Sequence, residues 1–367
     1  MIDRRLLRNF DYTLVLIMLF LIGLGLLMVS SASRGHVSSL AFVERQASWA
    51  GLGLILFTIA LLIDHQAFLR AARSIYALNL GLLIAVLIIG GSVKGAQRWI
   101  DIGPFALQPS EFAKLALIVT LSAFLVKHQG SIREPSVIAR SFLHIAIPML
   151  LIFIQPDLGT ALVFIGIWFG MLFVAGARLR HLAAVLLAGV LITSVAWHTE
   201  MLKDYQKERL VAFLNPEADP RGSGYHIRQS RIAIGSGQFH GKGLYRGTQS
   251  QLRFIPEQHT DFIFTVVAEE LGFLGAGTLL LLYFGLLWRG LVTMAENEEP
   301  GGRLIAAGIV SMLLFHIAVN IGMTLGIMPV TGVPLPFLSY GGSSLLANML
   351  TLGVLAGIFM RRHRITF

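Results

Sequence analysis

Residues 137–175 read VIARSFLHIAIPMLLIFIQPDLGTALVFIGIWFGMLFVA, two apolar blocks parted only by Gln155-Pro156-Asp157. Each block approaches the roughly 20 residues a helix needs to cross bilayer hydrocarbon. Three polar residues cannot serve as a soluble linker, so the pair reads as a tight hairpin of membrane helices. Outward from it, similar runs recur near 11–31, 46–63, 75–91, 111–126, 181–198, 263–288, 304–327 and 343–360. With 137–154 and 158–175 they make ten spans. These are solid apolar runs rather than ten-residue alternations, and only helices or closed barrels satisfy their backbone in lipid. The expected fold class is an all-α integral membrane protein of about ten transmembrane helices, a single polytopic domain over 1–367.

Composition agrees. The 367 residues are 55% hydrophobic and 13% charged, against about 25% charged in soluble chains. Mean hydropathy is +0.73. The start MIDRRLLRNFDY followed by an apolar run resembles a signal peptide, but the run from Tyr12 to Val29 is too long and no small-residue cleavage pattern closes it. It reads as a first span. The absence of cysteine excludes disulfides, thiol catalysis and thiolate metal sites. The net charge of +9 reads as basic loops facing phospholipid, with no nucleic-acid partner indicated.

Lysine and arginine set the orientation. Arg4, Arg5, Arg8, Arg70, Arg73, Lys127, Arg133, Arg140, Arg178, Arg180, Arg289, Arg303, Arg361, Arg362 and Arg364 fall on the side of both termini. The other side's short loops hold only Arg34, Arg45, Lys94 and Arg98. Both termini are therefore expected in the cytoplasm. The long connection 199–262 faces outward, and its aromatic and apolar residues (Tyr205, Phe213, Tyr225, Ile232, Phe239 and Phe254 among them) predict that it folds onto the bundle.

Several segments carry residues suited to chemistry. In Phe254-Ile255-Pro256-Glu257-Gln258-His259-Thr260-Asp261-Phe262, a carboxylate meets the eighth span at the outer interface, two residues after a histidine. Partial burial raises a carboxylate's pKa toward the range useful for a general base. Thr260 or Asp261 can equally cap the span's first turn, and the two roles are compatible. In Gln108-Pro109-Ser110-Glu111-Phe112-Ala113-Lys114, the acid and the lysine are three apart on one helical face. They form either a structural ion pair or a substrate contact in a wet cavity. Lys94-Gly95-Ala96-Gln97-Arg98-Trp99-Ile100-Asp101 offers cations for an anionic head group, and Trp99 suits sugar stacking or an interfacial belt.

The glycine-punctuated stretch from Arg221 to Gly247 places Arg228 and Arg231 on one helical face and adds Lys242. It is no P-loop, because Gly241-Lys242 precedes glycine rather than serine or threonine. Either the glycines make turns in a solvated loop, or the segment holds a lipid-linked phosphate. Met328 to Ser343 is uncharged and broken by three prolines. It is a plain connection or a dipping loop that shapes a lipid-entry groove, which must be buried in protein or line a cavity. Asp157 adds an outer carboxylate, Glu269 and Glu270 lie two turns into the eighth span where a partner is needed, and His316 reads as a satisfied interhelical hydrogen bonder. No helix carries a metal triad. A carboxylate-bound divalent cation such as Mg²⁺ at the outer face would fit pyrophosphate chemistry.

Four of these segments, Lys94 to Trp99, Gln108 to Lys114, Pro256 to Phe262 and Gly332 to Ser343, with Gln155-Pro156-Asp157-Leu158-Gly159-Thr160 as a fifth, occur in an order and spacing that resembles the SEDS (shape, elongation, division and sporulation) family. The resemblance runs from about residue 10 to 360. Gly247-Thr248-Gln249-Ser250-Gln251-Leu252 and the short tails look most like the family's rod-elongation branch. The resemblance implies a peptidoglycan glycosyltransferase of the bacterial inner membrane that polymerises lipid II. It implies a class B penicillin-binding protein as transpeptidase partner. The family's catalytic aspartate corresponds to Asp261, its membrane-depth acid and lysine to Glu111 and Lys114, and its loop tryptophan to Trp99.

The resulting expectation is an inverting transfer. Lipid II carries an α-linked sugar and its polymer is β-1,4-linked, so Asp261 takes the proton of the acceptor 4-hydroxyl. Arg98, Lys114, Arg228, Arg231 and Lys242 stabilise the departing pyrophosphate, with Asp157, Glu257 and His259 in support. A lipid II flippase and a non-catalytic scaffold of the cell-wall machinery are the rival readings. The first needs a polar path through the whole membrane, and the second leaves the clustered charges without a role.

Overall fold

A computed structural model describes residues 9–34, 39–93, 96–103, 105–199, 204–215, 217, 222–252 and 254–362. Lys94, Arg221, Arg4, Arg5, Arg8 and Arg364 lie outside the described residues. In chain order the helices are α1 (Tyr12–Ala32), α2 (Ser39–Leu62), the short α3 (His65–Arg70) and α4 (Ala72–Ile89). Three strands follow, β1 (Gly91–Val93), β2 (Ala96–Ile102) and β3 (Phe105–Leu107). Then come α5 (Pro109–Lys127), α6 (Pro135–Ile154), α7 (Leu158–Val174) and α8 (Leu179–His198). The connection to the next long helix holds α9 (Asp204–Leu214), α10 (Ser223–Ser236) and α11 (Thr248–Gln251). The chain closes with α12 (Ile263–Glu296), α13 (Pro300–Leu325) and α14 (Gly342–Met360).

The protein is an all-α membrane protein. Among the described residues, eight helices (α1, α2, α4, α5, α6, α12, α13 and α14) are long and apolar enough to cross a bilayer. The other two expected spans also form helices, α7 of 17 residues and α8 of 20. The 17 residues of α7 rise about 26 Å at 1.5 Å each, just under the hydrocarbon thickness of about 30 Å. In α8 the described apolar run is Leu179–Leu191. The second span starts at Ser39 rather than 46, because Glu44, Arg45, Gln46 and Ser48 conceal its first turns from hydropathy.

Local chemistry sets the helix starts. The Asp11 carboxylate accepts from Leu14 N at 3.0 Å and that of Asp157 from Thr160 N at 3.3 Å, while Pro109, Pro135 and Pro300 open their helices. At the centre, α14, α13 and α5 are mostly buried. Helix α14 runs along α2 so closely that a Cβ on Gly353 would lie 2.4 Å from the Phe57 carbonyl oxygen. Small residues are what permit such approach between membrane helices. The periphery exposes Leu16, Phe20, Leu150, Leu191, Leu281 and Phe284, which face lipid rather than water.

Two features position the site. The strands form a small antiparallel sheet, with Gly91 opposite Trp99 and Ile100 opposite Leu107. Helix α12 is broken at Gly272, which has φ 65 and ψ −160. The segment between α10 and α11 supplies the break with hydrogen bonds. Lys242 N and Gly243 N donate to Glu269 O and Glu270 O at 3.0 Å, and Phe273 N donates to Gln238 O at 2.8 Å. A Cβ on Gly272 would lie 2.2 Å from Gly241 N, so only glycine fits both the conformation and the contact. Helix α10 lies against α12 and α13, with Ser230 Oγ 2.7 Å from both Thr265 Oγ1 and Thr324 O.

Gly353→Leu forces α2 and α14 apart and is expected to lower stability by about 1–3 kcal/mol. Gly277→Ala, whose Cβ meets nothing within 4 Å, serves as control. Thermal unfolding in detergent separates them, and equal midpoints would contradict the packing described.

Candidate functional site

The uncharged segment from Met328 to Gly341 enters the bundle between α13 and α14, with Val333, Leu335, Phe337 and Leu338 buried. It has no helix of its own to satisfy its carbonyls, so side chains do it. Thr331 O accepts from Arg209 at 3.3 Å, Val333 O from Asn320 at 2.8 Å and Pro334 O from His316 at 3.2 Å. Pro336 O accepts from the Tyr283 hydroxyl at 2.7 Å, and Ser339 O from Gln46 at 3.2 Å. The Ser339 hydroxyl accepts from Leu335 N at 2.9 Å. Irregular backbone at membrane depth is stable only with such compensation.

Asp261 is fastened to this segment. Asn320 Nδ2 donates to Asp261 O at 2.9 Å as well as to Val333 O, and the Ser339 hydroxyl donates to Thr260 O at 2.5 Å. Tyr340 N donates to His259 O at 2.8 Å. The carboxylate of half-buried Asp261 faces Gly332, where a Cβ would lie 3.4 Å from Oδ2. Phe262, rather than Thr260 or Asp261, occupies the cap position of α12. Glu257 shapes this turn with its backbone. At φ 54 its carbonyl accepts from Thr260 N and Asp261 N at 3.2 and 3.1 Å. The His259 ring packs against Phe42 and Tyr340, with centroids 5.2 and 5.6 Å away.

Glu111 and Lys114 form a buried ion pair of 2.9 Å. Lys114 Nζ also lies 3.2 Å from His316 Nε2. These neighbours fix the tautomer: Nε2 accepts from the ammonium and Nδ1–H donates to Pro334 O. The pair thus braces the proline-rich segment through His316. A lone lysine at this depth needs a partner, and Glu111 and His316 both lie within bonding distance of the ammonium. The Lys242 ammonium likewise has protein partners, Glu269 at 2.9 Å and Thr248 at 2.6 Å.

A second group lies where α5, α7 and α14 begin. Arg98 donates to Gln155 O at 2.9 Å and to Pro156 O, and stands 3.9 Å from the Asp157 carboxylate. Asp157 also accepts from Ser110 and Gln108 at 3.3 Å. Gln108 N donates to Ser343 Oγ at 2.9 Å, which links the group to α14. Trp99 is half-buried on β2. On α10, Arg231 donates to Leu325 O at 3.1 Å, whereas Arg228 is exposed and makes no hydrogen bond or ion pair among the described residues.

The starts of α5, α7, α12 and α14 therefore gather at one end of the bundle, each presenting the positive end of a helix dipole. Glu269 and Glu270 have partners: Glu269 accepts from Gln249 N and Ser250 N at 2.8 and 3.0 Å, and Glu270 from Ser31 at 2.6 Å and Tyr245 N at 3.1 Å. Among the described residues no three His, Cys, Asp or Glu side chains converge to hold a metal ion. Sequence reasoning missed Asn320, Arg209, Gln46 and Tyr283. Asn320 and Tyr283, polar within apolar spans, were the available signal.

The profile of the FtsW/RodA/SpoVE cell cycle proteins matches residues 12–364. The chain belongs to this family. Peptidoglycan glycosyltransferase MrdB of Escherichia coli K12 is 40% identical over 362 residues, covering 98% of this chain and 95% of that protein. Peptidoglycan glycosyltransferase RodA of Treponema pallidum is 37% identical over 429 residues, 96% of this chain and 98% of its own. Among solved structures, a peptidoglycan synthase complex that coordinates polymerization and crosslinking contains a chain superposing with TM-score 0.83 at 34% identity, covering 97% of this chain and 99% of that one. RodA of Thermus thermophilus gives TM-score 0.71 at 30% identity, covering 97% and 98%.

Asn320→Ala strands two carbonyls, at roughly 1–3 kcal/mol for each group left unsatisfied. The expected result is a stability loss of about 2 kcal/mol or more, with faster amide exchange confined to 257–262 and 330–340. Unchanged exchange in both segments would show that Asn320 does not join them.

Proposed function

We propose that this chain is a peptidoglycan glycosyltransferase that polymerises lipid II into β-1,4-linked glycan strands for cell elongation, with Asp261 as general base. The observation that carries this reading is the 40% identity across 98% of the chain to a protein named for that activity. The site supports it. Asp261 accepts the proton of the acceptor's 4-hydroxyl, that oxygen bonds to the donor's anomeric carbon, and the bond to the lipid pyrophosphate breaks with its electron pair on the leaving group. The anomeric centre inverts in one displacement. Pyrophosphate leaves without a protonating acid, so one carboxylate suffices where hydrolases use two.

Arg228 is the cation most available to the leaving group, with Arg231 and Arg98 near it in role, and the gathered helix starts add favourable potential. Lys114, Glu111 and Asp157 act by holding backbone in place. Trp99 and His259 present rings to the sugars. If a divalent cation takes part, the substrate's pyrophosphate supplies its principal ligands.

The polar path required of a flippase finds no support. Between Leu304 and Leu325 in α13, and throughout α14, the sequence has no Asp, Glu, Lys or Arg, and Ile309, Met312, Leu352 and Leu355 fill the space. The setting proposed is the bacterial cytoplasmic membrane, with both termini cytoplasmic, as the arginine distribution favours. The segment 199–262 forms one unit with the bundle through Ser230 and Lys242. A class B penicillin-binding protein is the proposed partner, in keeping with the crosslinking function of the similar complex.

Purified chain with its partner transpeptidase and fluorescent lipid II is expected to yield glycan polymer on gels. Asp261→Asn should lower the rate by about 10²–10⁴, the usual worth of a general base. No polymer from the wild type would overturn the activity, and normal polymer from the variant would overturn only the base.

A further inference from the structure

A cavity of about 790 Å³ lies between α6, α7 and α8, lined by Ile138, Phe142, Ile165, Trp168, Val185 and Val190 among others. None of its lining residues belongs to the site above. The volume falls within the range of about 300–1,000 Å³ typical of ligand pockets. Its wall is apolar: even the Trp168 indole N–H is turned to Ser141 Oγ, at 2.9 Å. Exposed Phe142, Leu186 and Val190 mark where it opens at the protein surface. The gap exists because α8 stands off the bundle, with Leu182 its one buried residue among those described.

One end of this cavity is polar. Pro135 at the start of α6 and His181 in the first turn of α8 both line it, and His181 Nδ1 is buried with no hydrogen-bond partner among the described residues. Arg178 and Arg180 are exposed around the start of α8, and Arg133 is exposed just before α6. This is the end of the bundle opposite Asp157 and Asp261, because the α6–α7 hairpin turns at Asp157.

We propose that the cavity binds an acyl chain of an anionic phospholipid, whose phosphate lies at the start of α8 against Arg178, Arg180 and His181. Water is a poor occupant of an apolar cavity, and hydrocarbon is what a membrane supplies. The basic residues and the helix start select a phosphate at this end. A polyprenyl substrate tail would instead carry its pyrophosphate at the far end, leaving these cations without an anion. The choice of phospholipid over a polyprenyl tail rests on the proposed function, whereas the cavity and its basic end do not.

The test uses the full chain in nanodiscs with phosphatidylglycerol or phosphatidylcholine bearing a photoreactive group in one acyl chain, with labelled residues mapped by mass spectrometry. Phosphatidylglycerol is expected to label α6 and α8 around the cavity. Arg178→Gln and Arg180→Gln should each lower its retention about fivefold, the equivalent of about 1 kcal/mol per basic residue, without affecting phosphatidylcholine. Gly189→Leu, at a lining position where a Cβ meets nothing within 4 Å, should block labelling while thermal unfolding confirms its fold; the arginine variants test the proposal even if it unfolds. Equal labelling by both lipids, or labelling by an undecaprenyl phosphate probe that phosphatidylglycerol fails to displace, would overturn it.

Discussion

Inside a bundle of membrane helices, an irregular backbone has no water to bond its carbonyls, and the segment from Met328 to Gly341 is such a backbone. The structure answers that constraint donor by donor, with Arg209, Asn320, His316, Tyr283 and Gln46 each supplying one. Since an unsatisfied buried carbonyl costs about 1–3 kcal/mol, these bonds together decide whether the segment can lie there at all. The position of Asp261 follows from it, because Asn320 serves both segments with one amide.

The same constraint assigns roles to the charged residues. Lys114 is held by Glu111 and His316, and His316 in turn holds Pro334 O, so this relay ties α5 to the proline-rich segment. Breaking one partner of a buried pair is far more costly than the pair is stabilising, which makes the relay sensitive to single substitutions at a distance from the carboxylate. Arg228, exposed on α10, is suited to meet a mobile anion. In the proposed mechanism the holding groups are the buried, paired ones and the contacting groups keep some exposure.

Much of this was legible in the sequence. The apolar blocks announced the helices, and Gln155-Pro156-Asp157 announced the hairpin. Glu111 and Lys114, three apart on one helix, announced their pairing. What could not be read were contacts between segments distant in sequence. His316 meets Lys114 across 202 positions, and Lys242 reaches Glu269 on another element. Solid apolar helices carry no stripe that tells a buried face from a lipid-facing one, so the central places of α13 and α14 were invisible. Hydropathy overlooked the polar first turns of α2, and strands as short as β1 and β3 leave no periodicity to detect.

In the proposed mechanism the acceptor sugar meets Asp261 at the end of the bundle where the helix starts gather. The most direct measurement is a cryo-electron microscopy structure of the full chain with its partner and an unreactive lipid II analogue. The expected result is an acceptor 4-hydroxyl within about 2.6–3.2 Å of the Asp261 carboxylate, the reach of a general base, with the pyrophosphate toward α10. Sugars bound at the opposite end of the bundle, or a carboxylate turned away from them, would contradict it.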